Sequence, residues 1–232
     1  MQPHLGCLLP VQVQQRHPVT ELSVYYERLR AHFGHQNWWP GDSPWEIAVG
    51  AILVQNTNWE NASRAIQALK EKEWLSPEYI VQADAESLAP VIRTSGYFNQ
   101  KAKKLKALAA WWQAYAMRIR AGEQDLRFWR QSLLAVKGIG PETSDSILLY
   151  AFDQLIFVVD AYTRRLLERH QLTTDTSYEA MQAFFERKLP ADLDLYQDFH
   201  AQIVMTGKHF CRPKPQCEAC PLRDLLPRKS SL

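Results

Sequence analysis

The feature that most constrains this 232-residue chain is its periodicity, because apolar residues return at i, i+3 and i+4 in almost every segment. "LSVYYERLRAHF", "PWEIAVGAILVQ", "WENASRAIQALKE", "AKKLKALAAWWQAY", "PETSDSILLYAF" and "YEAMQAFFERKL" all carry it. Pro, Gly and Asn separate these runs, as in "WWPGDSP" and "TSGYFNQ". Strand-like alternation is nearly absent, and "LIFVVD" is the sole β-branched run. The pattern predicts an all-α protein of roughly ten helices. No internal repeat marks a solenoid. No stretch of about 18 apolar residues suits a membrane span, and the start "MQPHLGCLLPVQ" lacks a basic leader before an apolar run. A cytoplasmic protein with a flexible N-terminus is expected.

A formal net charge of only +2 does not announce a nucleic-acid partner. Local clusters carry more information: "KAKKLK", with Lys101, Lys103, Lys104 and Lys106, "RFWR", with Arg127 and Arg130, and the tail from Lys208 to Lys229. Asp192, Asp194 and Asp198 oppose them. Each basic cluster by itself reads as a solvated helix face. Cys211, Cys217 and Cys220 stand in a C-x5-C-x2-C run among four prolines, with Cys7 far away. Without a secretion signal, such close spacing points to a metal or cluster rather than to disulfides, and three ordinary thiols are the plain alternative.

In "VKGIGPETSD", Gly138 and Gly140 flank Ile139, and glycine takes positive φ without penalty, so both can shape a tight turn between two helices. Pro141 then suits the first position of the second helix. A helix start presents backbone N–H groups with partial positive charge, which fits a phosphate, and Lys137 can add a contact. Beyond that helix, an apolar segment ends on one carboxylate, Asp160, which is either a helix N-cap or a group with chemistry to do.

From Val136 to Asp160 the chain resembles the endonuclease III superfamily of DNA glycosylases, in which a helix-hairpin-helix and an apolar segment lead to an essential aspartate. "FVVDAYTRR" is similar to that family's "VDTHxxR". "AVGAILVQNTNWENASRAI" is similar to its early helix, "TSGYFNQKAKKL" to its wedge segment and "HAQIVMTGKHFC" to the approach to its iron-sulfur loop. Together, "WWP", "GAxLxQNT", "SGxxNQKAK", "KGIGxE" and "VVDxY" are similar to a narrower group, the endonuclease III-related bacterial 3-methyladenine DNA glycosylases.

The resemblance implies a two-lobed helix-hairpin-helix fold with the base-binding cleft between the lobes. Residues 1–20 would be the N-terminal extension and 21–45 a segment packing on the C-terminal lobe. One lobe would span 46–157 with the hairpin at 128–152, the other 158–206, and 207–232 the cysteine loop and tail. Double-stranded DNA with damaged bases would be the partner of a monomeric enzyme. Lys137, Gly138, Ile139 and Gly140 would hold the backbone, Gln55 would fill the gap left by the extruded base and Tyr97 would wedge into the duplex. Trp38, Trp39 and Lys208 would line the base pocket, although tryptophans are as often core and Lys208 reads equally as a phosphate contact or a solvated lysine. Asp160 would stabilise the oxocarbenium-like sugar. At the position where bifunctional relatives carry a Schiff-base lysine stands Glu142, and a carboxylate forms no imine, so hydrolysis without AP-lyase activity is expected. Glu142 itself reads as a dipole-favourable first-turn acid or as a water-positioning group. An alkylated purine such as 3-methyladenine is the expected substrate, since electron-rich rings stack on a cationic base. Oxidised pyrimidines handled by a bifunctional enzyme, or DNA binding without catalysis, are the alternatives.

The family's cluster motif is C-x6-C-x2-C-x5-C, and the fourth cysteine's place is Leu226 here. A [4Fe–4S] cluster normally takes four thiolates, so Cys7, His209 or Asp224 would have to complete it. Zinc on three Cys and one His, or no metal, are the other readings.

Overall fold

The computed structural model describes residues 21–227. Among the described residues there are eleven α-helices, three short 3₁₀ turns and no strand. The helices are α1 (Glu21–Phe33), α2 (Pro44–Leu53), α3 (Trp59–Glu71), α4 (Pro77–Gln82), α5 (Ala85–Val91), α6 (Phe98–Arg120), α7 (Leu126–Leu134), α8 (Pro141–Ala151), α9 (Ala161–Arg169), α10 (Tyr178–Lys188) and α11 (Leu193–His209). No described helix is long and apolar enough to cross a membrane.

Two helices are buried on nearly every side, and they form the centre. In α2, Pro44 opens the first turn, the Ser43 hydroxyl accepts from Glu46 N, and all residues from Trp45 to Leu53 except Ile47 are buried. In α8 everything from Thr143 to Ala151 is buried. The apolar α2 belongs inside by composition, whereas α8 buries a polar first half, in which Asp145 is partnered by Arg130 and Gln182, and an apolar second half; the two helices pack on each other. Around them, α3 to α7 complete one lobe, while α1, α9, α10 and α11 form the second.

The apolar run that ends at Asp160 is extended and buried from Ile156 to Val159 without belonging to a sheet. Side chains of α10 satisfy its backbone instead of a neighbouring strand. Phe157 N donates to Glu186 Oε1 at 3.0 Å, Val159 N donates to the Tyr178 hydroxyl at 3.3 Å, and Gln182 Nε2 donates to Phe157 O at 2.6 Å. Buried backbone groups need partners of some kind, which is why a β-branched segment here escapes being a strand.

The charge clusters are less solvated than their composition suggests. Lys101 is 2% exposed and donates to Leu53 O at 2.8 Å and Ser95 O at 2.6 Å. Burial, with the nearby Lys104 charge, pushes its ammonium down to about 8. Lys106 donates to Val81 O and Ala83 O across the α4–α5 turn. Arg130 grips the fully buried Asp145 with two bonds of 2.8 and 3.2 Å, and Gln182 adds a third at 2.7 Å. Asp198, expected among the surface acids, is buried and accepts from the Tyr26 hydroxyl and from Gln36 N. Charged side chains are buried where each polar atom has a partner, and here those partners lie far away in the sequence.

Candidate active site

Asp160 caps α9. Its Oδ1 accepts from Thr163 N at 2.7 Å and from the Thr163 hydroxyl at 2.9 Å, while Oδ2 faces His200 Nε2 at 3.7 Å. Burial works against the charge, but His200 and the Thr163 donors outweigh it and hold the carboxyl below its ordinary value. Capping and reactivity are compatible here, because one oxygen serves the helix and leaves the other at the cleft.

That cleft has a volume of about 630 Å³ and lies between the lobes. Trp38, Trp39, Gln55, Glu142, Asp160 and Lys208 all line it, although they span most of the chain. Its aromatic wall is a cluster: Trp39 packs on Trp38, Trp59 and Tyr150 with ring centroids 5.9, 5.6 and 5.4 Å apart. The Lys208 ammonium sits 5.1 Å from the Trp38 ring centre. Desolvation lowers the ease of charging Lys208, partly offset by Asp160. Glu142 stands at the rim, where desolvation and the Asp160 charge raise its carboxyl above the ordinary value. Tyr162 closes another side against Gly207, where an added Cβ would come within 2.1 Å of the Tyr162 ring.

In the hairpin, Gly138 has φ +91°, whereas Gly140 is extended at φ −98°, ψ −179°. The left-handed turn therefore requires glycine once and not twice, and Gly140 serves as the α8 N-cap. Ile139 is buried and its N–H is used inside the turn on Val136 O at 3.1 Å, so it anchors the hairpin rather than presenting a donor. Lys137 is exposed beside the turn. Gln55 is fixed by its neighbours: its amide donates to the Thr143 hydroxyl at 2.9 Å, and its oxygen accepts from Lys104 Nζ at 2.5 Å. Tyr97 lies outside the cleft, 65% exposed, in the left-handed region at φ +46°. Lys101 fastens the chain two residues before each of them, at Leu53 and at Ser95.

Reading the sequence missed His200, Tyr150 and Thr163, and took Lys104 for a solvated cation although it donates to Gln55. A signal for His200 exists: His200, Val204 and Lys208 fall one turn apart on α11, and all three line the cleft.

The cysteine segment is arranged differently. Cys211, Cys217 and Cys220 share a cavity of about 20 Å³ with Arg169, His170 and Leu226. Arg169 donates to Cys211 Sγ at 3.2 Å, to Arg212 O at 2.8 Å and to Pro213 O at 3.2 Å, and Arg165 donates to Cys211 O at 2.6 Å. Burial pushes the Cys220 thiol up, with the neighbouring thiols adding to it. Leu226 fills the place of a fourth thiolate, His209 and Asp224 do not line the cavity, and Cys7 lies outside the described residues. Among the described residues no group of three or more His, Cys, Asp or Glu is arranged to hold a metal. The described donor set thus falls short of the four-thiolate set that a cluster takes.

A turn-linked helix pair beside a partly buried, helix-capping aspartate at an aromatic cleft is the architecture of the helix-hairpin-helix DNA glycosylases. The chain belongs to the HhH-GPD superfamily of base excision DNA repair proteins, which its residues 49–191 match. It is 41% identical to a protein of Methanocaldococcus jannaschii named as a DNA repair glycosylase, MJ1434, over 86% of this chain and 92% of that protein. It is 30% identical to endonuclease III of Sulfolobus acidocaldarius over 76% of this chain and 78% of the relative. Among solved structures it is similar to the 3-methyladenine DNA glycosylase of H. pylori bound to 1,N6-ethenoadenine, with TM-score 0.69, 27% identity and coverage of 80% and 96% of the two chains. The all-helical fold and DNA as the partner follow from this membership.

Proposed function

We propose that this glycosylase is monofunctional: it hydrolyses the N-glycosidic bond of a flipped base and leaves the strand intact. The observation that carries this reading is Asp160, partly buried, held ionised and opening on the cleft, with Glu142 rather than an amine at the lyase position. As the bond breaks, the base departs with the electron pair and positive charge develops on the sugar, which the carboxylate stabilises. Water then bonds to C1′ and loses a proton, which goes to solvent when the departing base is a cationic alkylated purine, since that base leaves neutral with the electron pair. Gln55 and Tyr97, each two residues beyond a carbonyl that Lys101 holds, are suited to holding the duplex open. Hairpin amides around Gly138 and Gly140 would take the phosphates, with Lys137 beside them.

For the base we infer an alkylated purine, with Trp38 and Trp39 as its stacking wall and Lys208 at its edge. The H. pylori relative with its bound ethenoadenine supports this choice of class. Duplexes carrying methylated, oxidised, deaminated and mismatched bases, analysed by chromatography for freed base and by gel for strand breaks, test both statements. Alkylated purine released from unbroken strands is the expected result; strand cleavage coupled to release overturns monofunctionality.

A second reading has one observation in its favour. The Lys208 amine lies in the same cleft as Asp160 and is easier to deprotonate than an ordinary lysine, as an imine-forming amine must be. Borohydride trapping of a protein–DNA adduct that disappears in Lys208→Met would favour it, whereas Lys137, exposed on the hairpin, should be irrelevant to trapping.

A further inference from the structure

His200 is 3% exposed and lines the cleft, yet its Nε2 has no hydrogen-bond partner. Its Nδ1 lies 2.6 Å from the Tyr150 hydroxyl, whose oxygen is also 3.0 Å from Gln197 O. Proton bookkeeping fixes what faces Asp160. Tyr150 has one hydroxyl proton, and Gln197 O can only accept. If Tyr150 gives its proton to Gln197 O, Nδ1 must donate to Tyr150. A bare Nε2 would then face the carboxylate at 3.7 Å, lone pair against lone pair, unless it too is protonated. If Tyr150 instead donates to Nδ1, the neutral ring carries its proton on Nε2. Either arrangement that satisfies these atoms puts an N–H on the side of Asp160.

Resting on the base-release reading above, we propose that Tyr150 and His200 form a positioning pair for Asp160, with the His200 Nε2–H held opposite Oδ2 to keep that oxygen charged and aimed at the sugar. Thr163 fixes Oδ1 from the other side with its two donors, so the carboxylate plane is set at both ends. The separation suits the task. At 3.7 Å the imidazole is beyond hydrogen-bond range, so it favours the negative charge without consuming the lone pair that the developing cation requires. A full hydrogen bond would blunt the oxygen. The aromatic wall supports the pair, since the Tyr150 ring packs 5.4 Å from Trp39 and 5.8 Å from the His200 ring. A base seated on that wall would therefore press on the same framework that orients the carboxylate.

The other ionisable groups facing the pair are Glu142 and Tyr150 from α8, Arg164 from α9, and Asp198 and Lys208 from α11. The test compares the wild type with His200→Leu, His200→Gln and Tyr150→Phe by ¹³C titration of the Asp160 carboxyl and by single-turnover base release against pH. In His200→Leu the Asp160 midpoint and the acid limb of the rate profile should both move to higher pH. Its maximal rate should fall about 100-fold with DNA affinity unchanged. His200→Gln places an amide N–H near the position of Nε2 and should restore most of the rate and the midpoint; Tyr150→Phe should fall between. An Asp160 midpoint that stays put in His200→Leu overturns the proposal, even if the rate drops, because that outcome describes a packing defect. Should His200→Leu fail to fold, an unmoved midpoint in Tyr150→Phe overturns it instead. A wild type that frees no base refutes the functional reading alone, since the carboxyl titration still judges the pair.

Discussion

The Asp160 cleft and the cysteine loop were both legible as motifs, but the structure treats them in opposite ways. At the cleft, side chains from α2, α8, α9, α11 and the loop before α2 line one cavity together with a single capping carboxylate. At the loop, three thiols come close together, and it is Arg165 and Arg169 that hold the backbone around them. Local spacing is cheap to retain or to imitate. Convergence from distant parts of the chain is not, because each remote group must be positioned by its own packing. The contrast predicts that the cleft is intolerant of single changes, and that the loop depends on its arginines more than on its cysteines.

The largest effect should follow Asp160→Asn, which keeps the shape and an oxygen for the Thr163 donors while removing the charge. Base release should fall by roughly a thousand-fold or more, and binding to damaged duplex should stay within about two-fold of wild type. Turnover at the wild-type rate would end the assignment of Asp160 and, with it, the contrast between the two regions.

Next comes the support behind the cleft. Arg130 pairs with Asp145, which accepts from Gln182, and Gln182 in turn donates to Phe157 O on the segment that delivers Asp160. Arg130→Met strands a fully buried carboxylate and should cost about 3 kcal/mol in denaturant unfolding, the lower end for such pairs because Arg130 is partly exposed. Loss within a few tenths of a kcal/mol would mean that Asp145 is protonated or rehydrated at no cost.

In the loop, Arg169→Met removes three bonds at once, to Cys211 Sγ, Arg212 O and Pro213 O, and should destabilise by about 2 kcal/mol. Cys217→Ser should cost less than about 1 kcal/mol if arginine alone organises the segment. Were a cluster or zinc bound, loss of one thiolate would cost several kcal/mol, since metal binding energy is folding energy. Elemental analysis of the purified protein beside these two melts decides the matter, and the reverse order of costs would break the comparison.

How much could be read in advance varied for physical reasons. Helices were plain, since α3, α7 and α9 carry strong amphipathic stripes. Asp160, Gln55 and Glu142 were legible because each stands in a short motif whose neighbours are also constrained. His200 was not, because its importance depends on Tyr150 and Asp160 approaching it from fifty and forty residues away. Lys101 and Arg130 were misread as surface charge for the same reason: composition reveals a cation, but not the carbonyls of Leu53 and Ser95 or the carboxylate of Asp145 that receive it. The hairpin shows the limit at single-residue scale, since two glycines in one turn imply two positive φ angles and only Gly138 has one.

The smallest expected effect separates the regions by pH. His170 is buried where α1, α9 and the cysteine loop meet, with its Nδ1 3.0 Å from the Tyr25 hydroxyl, which also donates to Leu225 O at 3.3 Å. Burial lowers its pKa from 6.5, with the Leu225 carbonyl opposing in part. Because the folded ring resists protonation, the unfolded chain takes up the proton first as pH falls. Stability is therefore complete above the ordinary histidine value, declines as pH drops below 6.5, and stops declining once the folded ring also titrates. Asp160 behaves differently, because its depressed carboxyl adds stability that is present above the ordinary aspartate range and is lost only as pH falls below it. Hydrogen exchange followed from pH 7.5 to 5.5 should accordingly show the loop amides opening while those of α8 and α9 near the cleft stay protected. His170→Phe, which keeps the ring volume and removes the titration, should abolish that difference. Equal opening of both regions would mean that the loop and the cleft unfold as one unit, and that the arginine clamp is not a separable piece of the structure.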